Sequence, residues 1–511
     1  MRRFMAAPSV TGFGYGSSHG LVEPDGSDNF EGMALARSVE MGRFLSSVPH
    51  LSRIHGATRL LLPAILLFLA SGATVGAQPT PQQPGEGAQV RTGGVIGSEA
   101  DTTQRVLNLI ADHRFARLEQ MLADANSGKI VLTDEQQSFL RGVLDNRENK
   151  PQESILLLAP LVDEIARSGN LTEEKMARKA LAEDYLRTGD LGRAAAAYQA
   201  YSTRLGATLT AEEKDEIELP LKLLPLAVGN PPMTVEYGAP FSLPYDLDPL
   251  GLTDIPVFVD AQSHDWMLDP TSPFNLICFS TAREVGLKLS AQSATIHTLT
   301  GRPMVVHATV IPRMTLGNVT FRNATAFVFN DADYDFPRSG YQVRGVLGYP
   351  AVSALGSLTI TANAQIRVDP GPHGARITHG APFYLDGDQI LVALGKADDP
   401  RMYLVDAGGQ QSYLTSRFYS EHAAAFAGQK MQLLSLPGSS NLPPTPAFVA
   451  SAVSLEFGAT RAIFEDLQVL IEPLGRSATD DTYGTLGVDA LEQLKSYSFD
   501  YRTMQIAVTP R

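Results

Sequence analysis

The chain of 511 residues contains two copies of one β-rich pattern. Residues 267–287 read MLDPTSPFNLICFSTAREVGL, and residues 404–424 read LVDAGGQQSYLTSRFYSEHAA. In each copy a strand-like run ends in an aspartate, small residues follow, and an apolar pair returns before a short helix-like stretch. Both copies then reach a matching turn, Val346-Leu347-Gly348 or Thr485-Leu486-Gly487, at nearly the same distance from the aspartate. This repetition predicts two similar β units in tandem.

The pattern of hydrophobic residues changes twice along the chain, and the length is too great for a single core. We therefore predict a multidomain protein in which an α-helical repeat region precedes two mainly-β units. The predicted segments are an N-terminal extension with a signal peptide (1–77), a Pro/Gln-rich linker (78–97), a helical region (98–230), a first β unit (231–372) and a second β unit (373–511).

The N-terminal extension has the pattern of an export signal. Residues 60–70 read LLLPAILLFLA, arginines precede them, and small residues lead to Ala77. A basic front, a short apolar run and a small-residue exit are typical of a secretory signal, so we expect export to the periplasm or beyond with cleavage near Ala77. The alternative is an uncleaved membrane anchor through residues 60–77, whose length is at the lower limit for a span.

Three helix–turn–helix candidates follow the linker, with turns near Asp112, Glu148 and Gly189. The third resembles a tetratricopeptide repeat through its small and large residues at Leu181, Ala182, Tyr185, Gly189, Ala194 and Tyr198. Two interpretations are open: a groove that binds a protein partner, or a pad packed on the following domain, because one repeat cannot bury a core alone.

Composition excludes several classes of function. The formal net charge of −14 disfavours a nucleic-acid partner, because an acidic surface repels phosphates. Cys278 is the sole cysteine, so no internal disulfide forms, and its apolar neighbours indicate a buried thiol. The histidines have no paired metal spacing, and neither a serine-hydrolase elbow nor a phosphate-binding glycine loop occurs. We therefore predict no metal and no cofactor.

The duplicated unit resembles the aspartic protease superfamily, in particular its retropepsin-like members. That family has a strand, then Asp-Thr-Gly-Ala/Ser, and later a hydrophobic-hydrophobic-Gly turn. Asp406-Ala407-Gly408-Gly409 is the closer copy here, and Asp269-Pro270-Thr271-Ser272 is the more divergent one. The resemblance covers about residues 233–511 and implies a mainly-β, bilobal, acid-protease-like fold with two pseudo-symmetric lobes in one chain.

The resemblance also implies the roles of individual residues. Asp269 and Asp406 would form the paired carboxylates, while Asp260 is interpreted as a hairpin-turn residue. Residues 297–308 would form the flap, and 435–450 would be a loop in the equivalent place. The residues expected to bind substrate are Thr271, Ser272, Gly301, Gly408 and Gly409.

Two departures from the family pattern keep more than one function open. The family's threonine is replaced by Pro270 and Ala407, which have no hydroxyl, so we expect Thr271 or Ser272 to provide one. The primary prediction is an exported aspartic-type peptidase that acts on peptides or proteins. The alternative is a catalytically inactive relative that binds a peptide or partner. In a third interpretation the aspartates are ordinary turn residues in a β-rich scaffold.

Overall fold

The computed structural model describes residues 99–511 except 250, 298–301, 338, 397–398, 408, 410, 435–443 and 476. The predicted signal or anchor at 60–77 and the linker at 78–97 therefore lie outside the described residues. No helix within the described part of the chain is long and apolar enough to cross a membrane.

The first part of the described chain is helical, as predicted. Its helices are α1 (Glu99–Ala111), α2 (Phe115–Asn126), α3 (Asp134–Arg147), α4 (Pro151–Ser168), α5 (Leu171–Arg187), α6 (Leu191–Leu205) and α7 (Ala211–Ala227). The predicted turns near Asp112, Glu148 and Gly189 separate α1 from α2, α3 from α4 and α5 from α6. Local sequence explains several of these boundaries. Thr133 and Thr210 form capping boxes at the starts of α3 and α7, and Gly169 ends α4 in the left-handed conformation.

The first β region begins after α7. Its strands are β1 (Thr234–Tyr237), β2 (Phe241–Pro244), β3 (Asp246–Leu247), β4 (Thr253–Val259), β5 (Gln262–Leu268), β6 (Asn275–Cys278), β7 (Leu289–His297), β8 (Pro303–Leu316), β9 (Val319–Phe329), β10 (Asp335–Phe336), β11 (Tyr341–Gln342), β12 (Gly345–Leu347), β13 (Ser357–Thr361) and β14 (Gln365–Asp369). Helices α8 (Phe279–Glu284) and α9 (Tyr349–Ala354) follow β6 and β12.

The second β region completes the chain. Its strands are β15 (Ala381–Asp386), β16 (Gln389–Leu394), β17 (Arg401–Val405), β18 (Tyr413–Leu414), β19 (Gln432–Leu434), β20 (Thr445–Ala450), β21 (Val453–Phe457), β22 (Thr460–Phe464), β23 (Leu467–Leu470), β24 (Gly484–Leu486), β25 (Leu494–Asp500) and β26 (Gln505–Pro510). Its helices are α10 (Ser416–His422), α11 (Ser477–Asp480) and α12 (Val488–Leu491). The expectation of a loop over 435–450 is wrong for 445–450, because β20 pairs there with β19 and β23.

Two large sheets organise the β regions. One runs β1-β9-β6-β12-β5-β4-β8-β7, with β3 beside β4. The other runs β19-β20-β23-β18-β24-β17-β16-β15-β26-β25-β13-β14-β2. Strands β13, β14 and β2 of the first region thus continue the sheet of the second. This shared sheet joins the two β regions through backbone hydrogen bonds.

Buried apolar side chains join these parts. One core combines residues of the two β regions. A second joins helices α5–α7 to the first region, and a third joins helices α1–α5 to the β15–β17 strands of the second. Trp266 and Cys278 are both fully buried, so the predicted interior position of the thiol is confirmed. The helical region is therefore packed on both β regions.

Candidate functional site

The first aspartate lies at the end of β5, where the chain turns away from the sheet. The Asp269 N–H donates to the Leu347 carbonyl at 3.1 Å, which ties the strand end to the β12 turn. The N–H of Ser272 donates back to the Asp269 carbonyl at 3.2 Å, and the N–H of Tyr349 donates to the Ser272 carbonyl at 2.8 Å. The N–H and hydroxyl of Thr271 donate to Asp269 Oδ1 at 3.0 and 2.6 Å. The carboxylate is therefore held by its own turn.

The second aspartate has the same backbone connections at the end of β17. The Asp406 N–H donates to the Leu486 carbonyl at 3.0 Å. The N–H of Gly409 donates to the Asp406 carbonyl at 3.2 Å, and the N–H of Val488 donates to the Gly409 carbonyl at 2.8 Å. Each bond joins residues that correspond, position by position, to those of the first turn.

A polar side chain stabilises each turn from a position at the start of the next strand or just before it. Asn275 Oδ1 accepts from the Gly348 N–H at 3.1 Å, and Ser412 Oγ accepts from the Gly487 N–H at 2.8 Å. The surrounding strands also correspond. Strand β12 runs parallel to β5 and antiparallel to β6, just as β24 runs parallel to β17 and antiparallel to β18. Both aspartates are thus fixed at strand ends by one type of framework.

Gly409 meets a steric requirement at the second turn. A β-carbon at this position would lie 2.3 Å from Asp406 Oδ2, far inside van der Waals contact. Only glycine lets the backbone pass this close to the carboxylate. This explains the small residue that the sequence pattern has at this point.

The two carboxyl groups differ in their surroundings. Asp269 is only 3 % exposed, whereas Asp406 is partly exposed. Burial raises the pKa of Asp269, and the hydrogen bonds from Thr271 and from the Ser272 N–H oppose that rise. The charge of Asp269 also adds to the raised pKa of Tyr334, after the larger effect of burial. A carboxyl with a raised pKa in an enclosed place is suited to hold a proton in mildly acidic solution.

The predicted substrate-binding residues differ in their contacts, and two of them are not described by the structure. Thr271 provides the hydroxyl expected near the first aspartate, because it bonds directly to Asp269. The Ser272 hydroxyl is buried and donates to the Phe274 carbonyl at 2.8 Å. Gly301 and Gly408 lie outside the described residues. Strands β7 and β8 form the hairpin predicted as the flap, although its tip at 298–301 is not described.

An apolar pocket beside the first turn was not predicted. Its wall includes Ser272 and Phe274 of the turn, Met304 of β8 and Tyr334. It also includes leucines of α7, a helix distant in sequence. The sequence signal for this contact was limited to the apolar face of α7, which does not identify the surface it covers.

The chemistry available at these turns is that of carboxylates. Within the described ranges, no group of three or more His, Cys, Asp or Glu side chains is placed to hold a metal ion. Asp260, which lies at the opposite end of β5 from Asp269, has φ 53° between β4 and β5, as predicted for a hairpin residue. Two equivalent aspartates at strand ends offer general acid and general base groups.

Comparison with known proteins relates one part of the chain to a known family. No curated protein matches the chain. A retropepsin-like aspartic protease from Rickettsia conorii, known from its crystal structure, aligns at 13 % identity and a TM-score of 0.19, over 26 % of this chain and 93 % of its own. Residues 255–351 match the model of a family described as aspartyl protease. The matched segment contains Asp269 and the β12 turn, so this part of the chain is similar to that family.

Proposed function

We propose that the protein is an aspartic-type peptidase in which two pseudo-symmetric lobes each contribute one aspartate, Asp269 and Asp406, to a single site. The observation that supports this most strongly is the matched set of backbone hydrogen bonds at the two strand ends. Chance turn aspartates have no reason to share the same donors, acceptors and strand partners. The aspartyl protease match at residues 255–351 adds independent support.

The proposed mechanism needs neither a metal nor a covalent intermediate. Two carboxylates about 3 Å apart cannot both ionise, so the pair shares one proton. The ionised member takes a proton from a water molecule as the water attacks the peptide carbonyl. The protonated member donates to the carbonyl oxygen, which stabilises the charge that develops there. Because the pair titrates as a unit, neither aspartate has a fixed acid or base label.

The test is a matched set of Asp→Asn variants assayed with a quenched fluorescent peptide library at acidic pH. Asp269→Asn and Asp406→Asn should each lower kcat/KM at least about a hundredfold, since each removes a proton-transfer group. Asp260→Asn is the control, because its φ of 53° is one that asparagine adopts readily. Circular dichroism must show that all three variants are folded. Full activity in either site variant would remove that residue from the mechanism.

A second candidate function is peptide binding without cleavage. It is favoured by the 3 % exposure of Asp269 and by Pro270 and Ala407, which have no hydroxyl where the family has threonine. Calorimetry with peptides from the same library distinguishes the two. Binding that survives in wild-type protein over hours without cleavage supports the binding function, whereas cleavage excludes it.

Export is part of the proposal and rests on the sequence at residues 60–77. A mature protein that begins just after Ala77 is expected from N-terminal sequencing of material recovered outside the cytoplasm. Retention of residues 60–77 in a membrane fraction would instead support the anchor.

We further propose that helices α1–α6 are tetratricopeptide-like pairs, which is supported by their three helix–turn–helix units.

A further inference from the structure

Helix α7 covers the pocket that adjoins the first aspartate turn. Its buried side chains Leu219 and Leu223 form one wall, opposite Ser272 and Phe274 of the turn. The same helix packs along β7 and β8, the two strands of the hairpin predicted as the flap. A peptide side chain that enters from this side meets leucine side chains where open space is needed.

The helical region is held differently on the two β regions. On the second region, Asp386 at the β15–β16 turn lies 3.0 Å from Arg147, 3.3 Å from Lys179 and 3.4 Å from His113. Arg187 donates to the neighbouring Gly387 carbonyl at 3.2 Å. On the first region, α7 makes its contacts with apolar side chains. The ionic contact fixes the helical region on the second β region, and it also includes α7 near its start, where Glu216 lies 3.0 Å from Lys179. Beyond Glu216, α7 meets the first β region through apolar side chains.

Among the helices α1–α7, helix α7 has the most prolines in its interior. It contains Pro220 and Pro225, and each proline removes one hydrogen bond from the helix interior. Its first turn is secured by the Thr210 capping box and by the Glu213–Lys175 ion pair at 2.8 Å. The firmly held first turn precedes both prolines, whereas Leu219 directly precedes Pro220 and Leu223 lies between Pro220 and Pro225. Local opening concentrates where backbone bonds are missing.

We propose that α7 is a built-in cap, so that substrate reaches Asp269 only when the leucine-bearing half of α7 leaves the pocket. This proposal rests on the proposed peptidase function for its consequence in catalysis. The access of small molecules to Asp269 can be measured whether or not the protein cleaves peptides. A cap that is open for only a small fraction of the time reduces the apparent activity to that fraction of its fully open value.

The test measures access to Asp269 directly. A small epoxide esterifies reactive carboxylates, and mass spectrometry locates the ester on Asp269 in the full-length protein. The double variant Leu219→Asp/Leu223→Asp places charges in the apolar pocket, so labelling of Asp269 should become at least about tenfold faster. Leu156→Asp, the same substitution at a helical-region leucine that is 75 % exposed, is the matched control and should label like wild type.

A second variant acts in the opposite direction. Pro225→Ala, at an exposed position, restores a backbone donor to α7 and should make labelling at least about tenfold slower. Hydrogen exchange reports the state of α7, and the amides of β25 and β26 report whether the fold is intact. Should the double variant lose that protection, Pro225→Ala decides the question.

The outcomes separate the cap from the peptidase function. The cap is supported if labelling of Asp269 becomes faster when α7 exchanges faster and slower when α7 exchanges more slowly. This holds even if no peptide is cleaved, and the absence of cleavage counts only against the peptidase proposal. Unchanged labelling in a variant whose α7 exchange has changed overturns the cap. Peptide cleavage at one rate in every variant would leave the peptidase function standing without a cap.

Discussion

Gly409→Ala tests how closely the second turn must approach Asp406. The added β-carbon would lie 2.3 Å from Asp406 Oδ2, and ordinary contact begins near 3.4 Å, so the carboxylate must retreat by about 1 Å. Misplacement of a catalytic group by about 1 Å costs on the order of a hundredfold in rate. The overpacking costs about 1–3 kcal/mol of unfolding free energy, offset in part by about 0.4–1 kcal/mol from the stiffer unfolded chain. We therefore expect a folded protein with kcat/KM lower by about a hundredfold.

The assay is cleavage of a quenched peptide at acidic pH, with thermal unfolding measured on the same samples. Gly192→Ala in α6 is the control, because the nearest atom to its new β-carbon is 3.7 Å away. That variant should retain full activity and gain or lose little stability. A folded Gly409→Ala protein with wild-type kcat/KM would refute the role assigned to the second turn.

Three further predictions use the ionisable groups. Thr271→Val removes a hydroxyl that donates to Asp269, so the pKa of Asp269 should rise and the pH profile of kcat/KM should move to higher pH. Burial raises the pKa of Asp254 to about 7, so the folded state keeps a proton that the unfolded state releases above its ordinary value of 3.8. Stability is therefore lost as pH rises from about 4 to about 7, and Asp254→Asn should raise the melting temperature more at pH 7 than at pH 4. Burial also works to raise the pKa of Asp386, but Arg147 and its other cationic partners hold it well below the ordinary value. Asp386→Asn should cost about 1.5–3 kcal/mol at neutral pH, since it removes one of the carboxylates around Arg147 and Lys179, and this loss should shrink as acid protonates the wild-type carboxyl.

Matched variants control these three measurements. Thr271→Ser keeps the hydroxyl and should keep the wild-type pH profile, and a Thr271→Val profile that does not move would contradict the hydrogen bond. For the two stability measurements, Asp163→Asn serves as the control because its side chain is 88 % exposed. A pH-independent effect of Asp254→Asn would show that this carboxyl is ionised in the folded protein. If Asp386→Asn left the free energy of unfolding unchanged, the ion cluster would contribute little to the packing of the helical region on the second β region.

The sequence was informative where neighbouring residues determine the structure. The turns between helices follow from local signals such as Gly189, which has φ 75°. The aspartate turns and their return strands follow from the repeated spacing, and the burial of Cys278 follows from its apolar neighbours. A hydroxyl from Thr271 or Ser272 is expected near the first aspartate because the usual threonine position is occupied by Pro270, and Thr271 provides it.

Sequence reasoning was less informative where the structure depends on distant packing. The apolar face of α7 gave no sign that Leu223 lies beside Phe274, because helical periodicity identifies a buried face without identifying its partner. The ion cluster at Asp386 has the same cause, since its cations come from helices distant in sequence. Strand β20 was missed because several prolines and a glycine precede it and suggested a loop over the whole stretch.

The central claim is that Asp269 and Asp406 share one site, and the titration of their carboxyl groups tests it most directly. Selective carbon-13 labelling of aspartate, with difference spectra against each Asp→Asn variant, follows the two groups through a pH titration. If they form a pair, wild-type protein shows two coupled steps, and Asp406→Asn lowers the pKa of Asp269 because a like charge is removed. If Asp269 titrates identically with and without the Asp406 carboxyl, the two aspartates do not form one site, and the proposed mechanism is wrong.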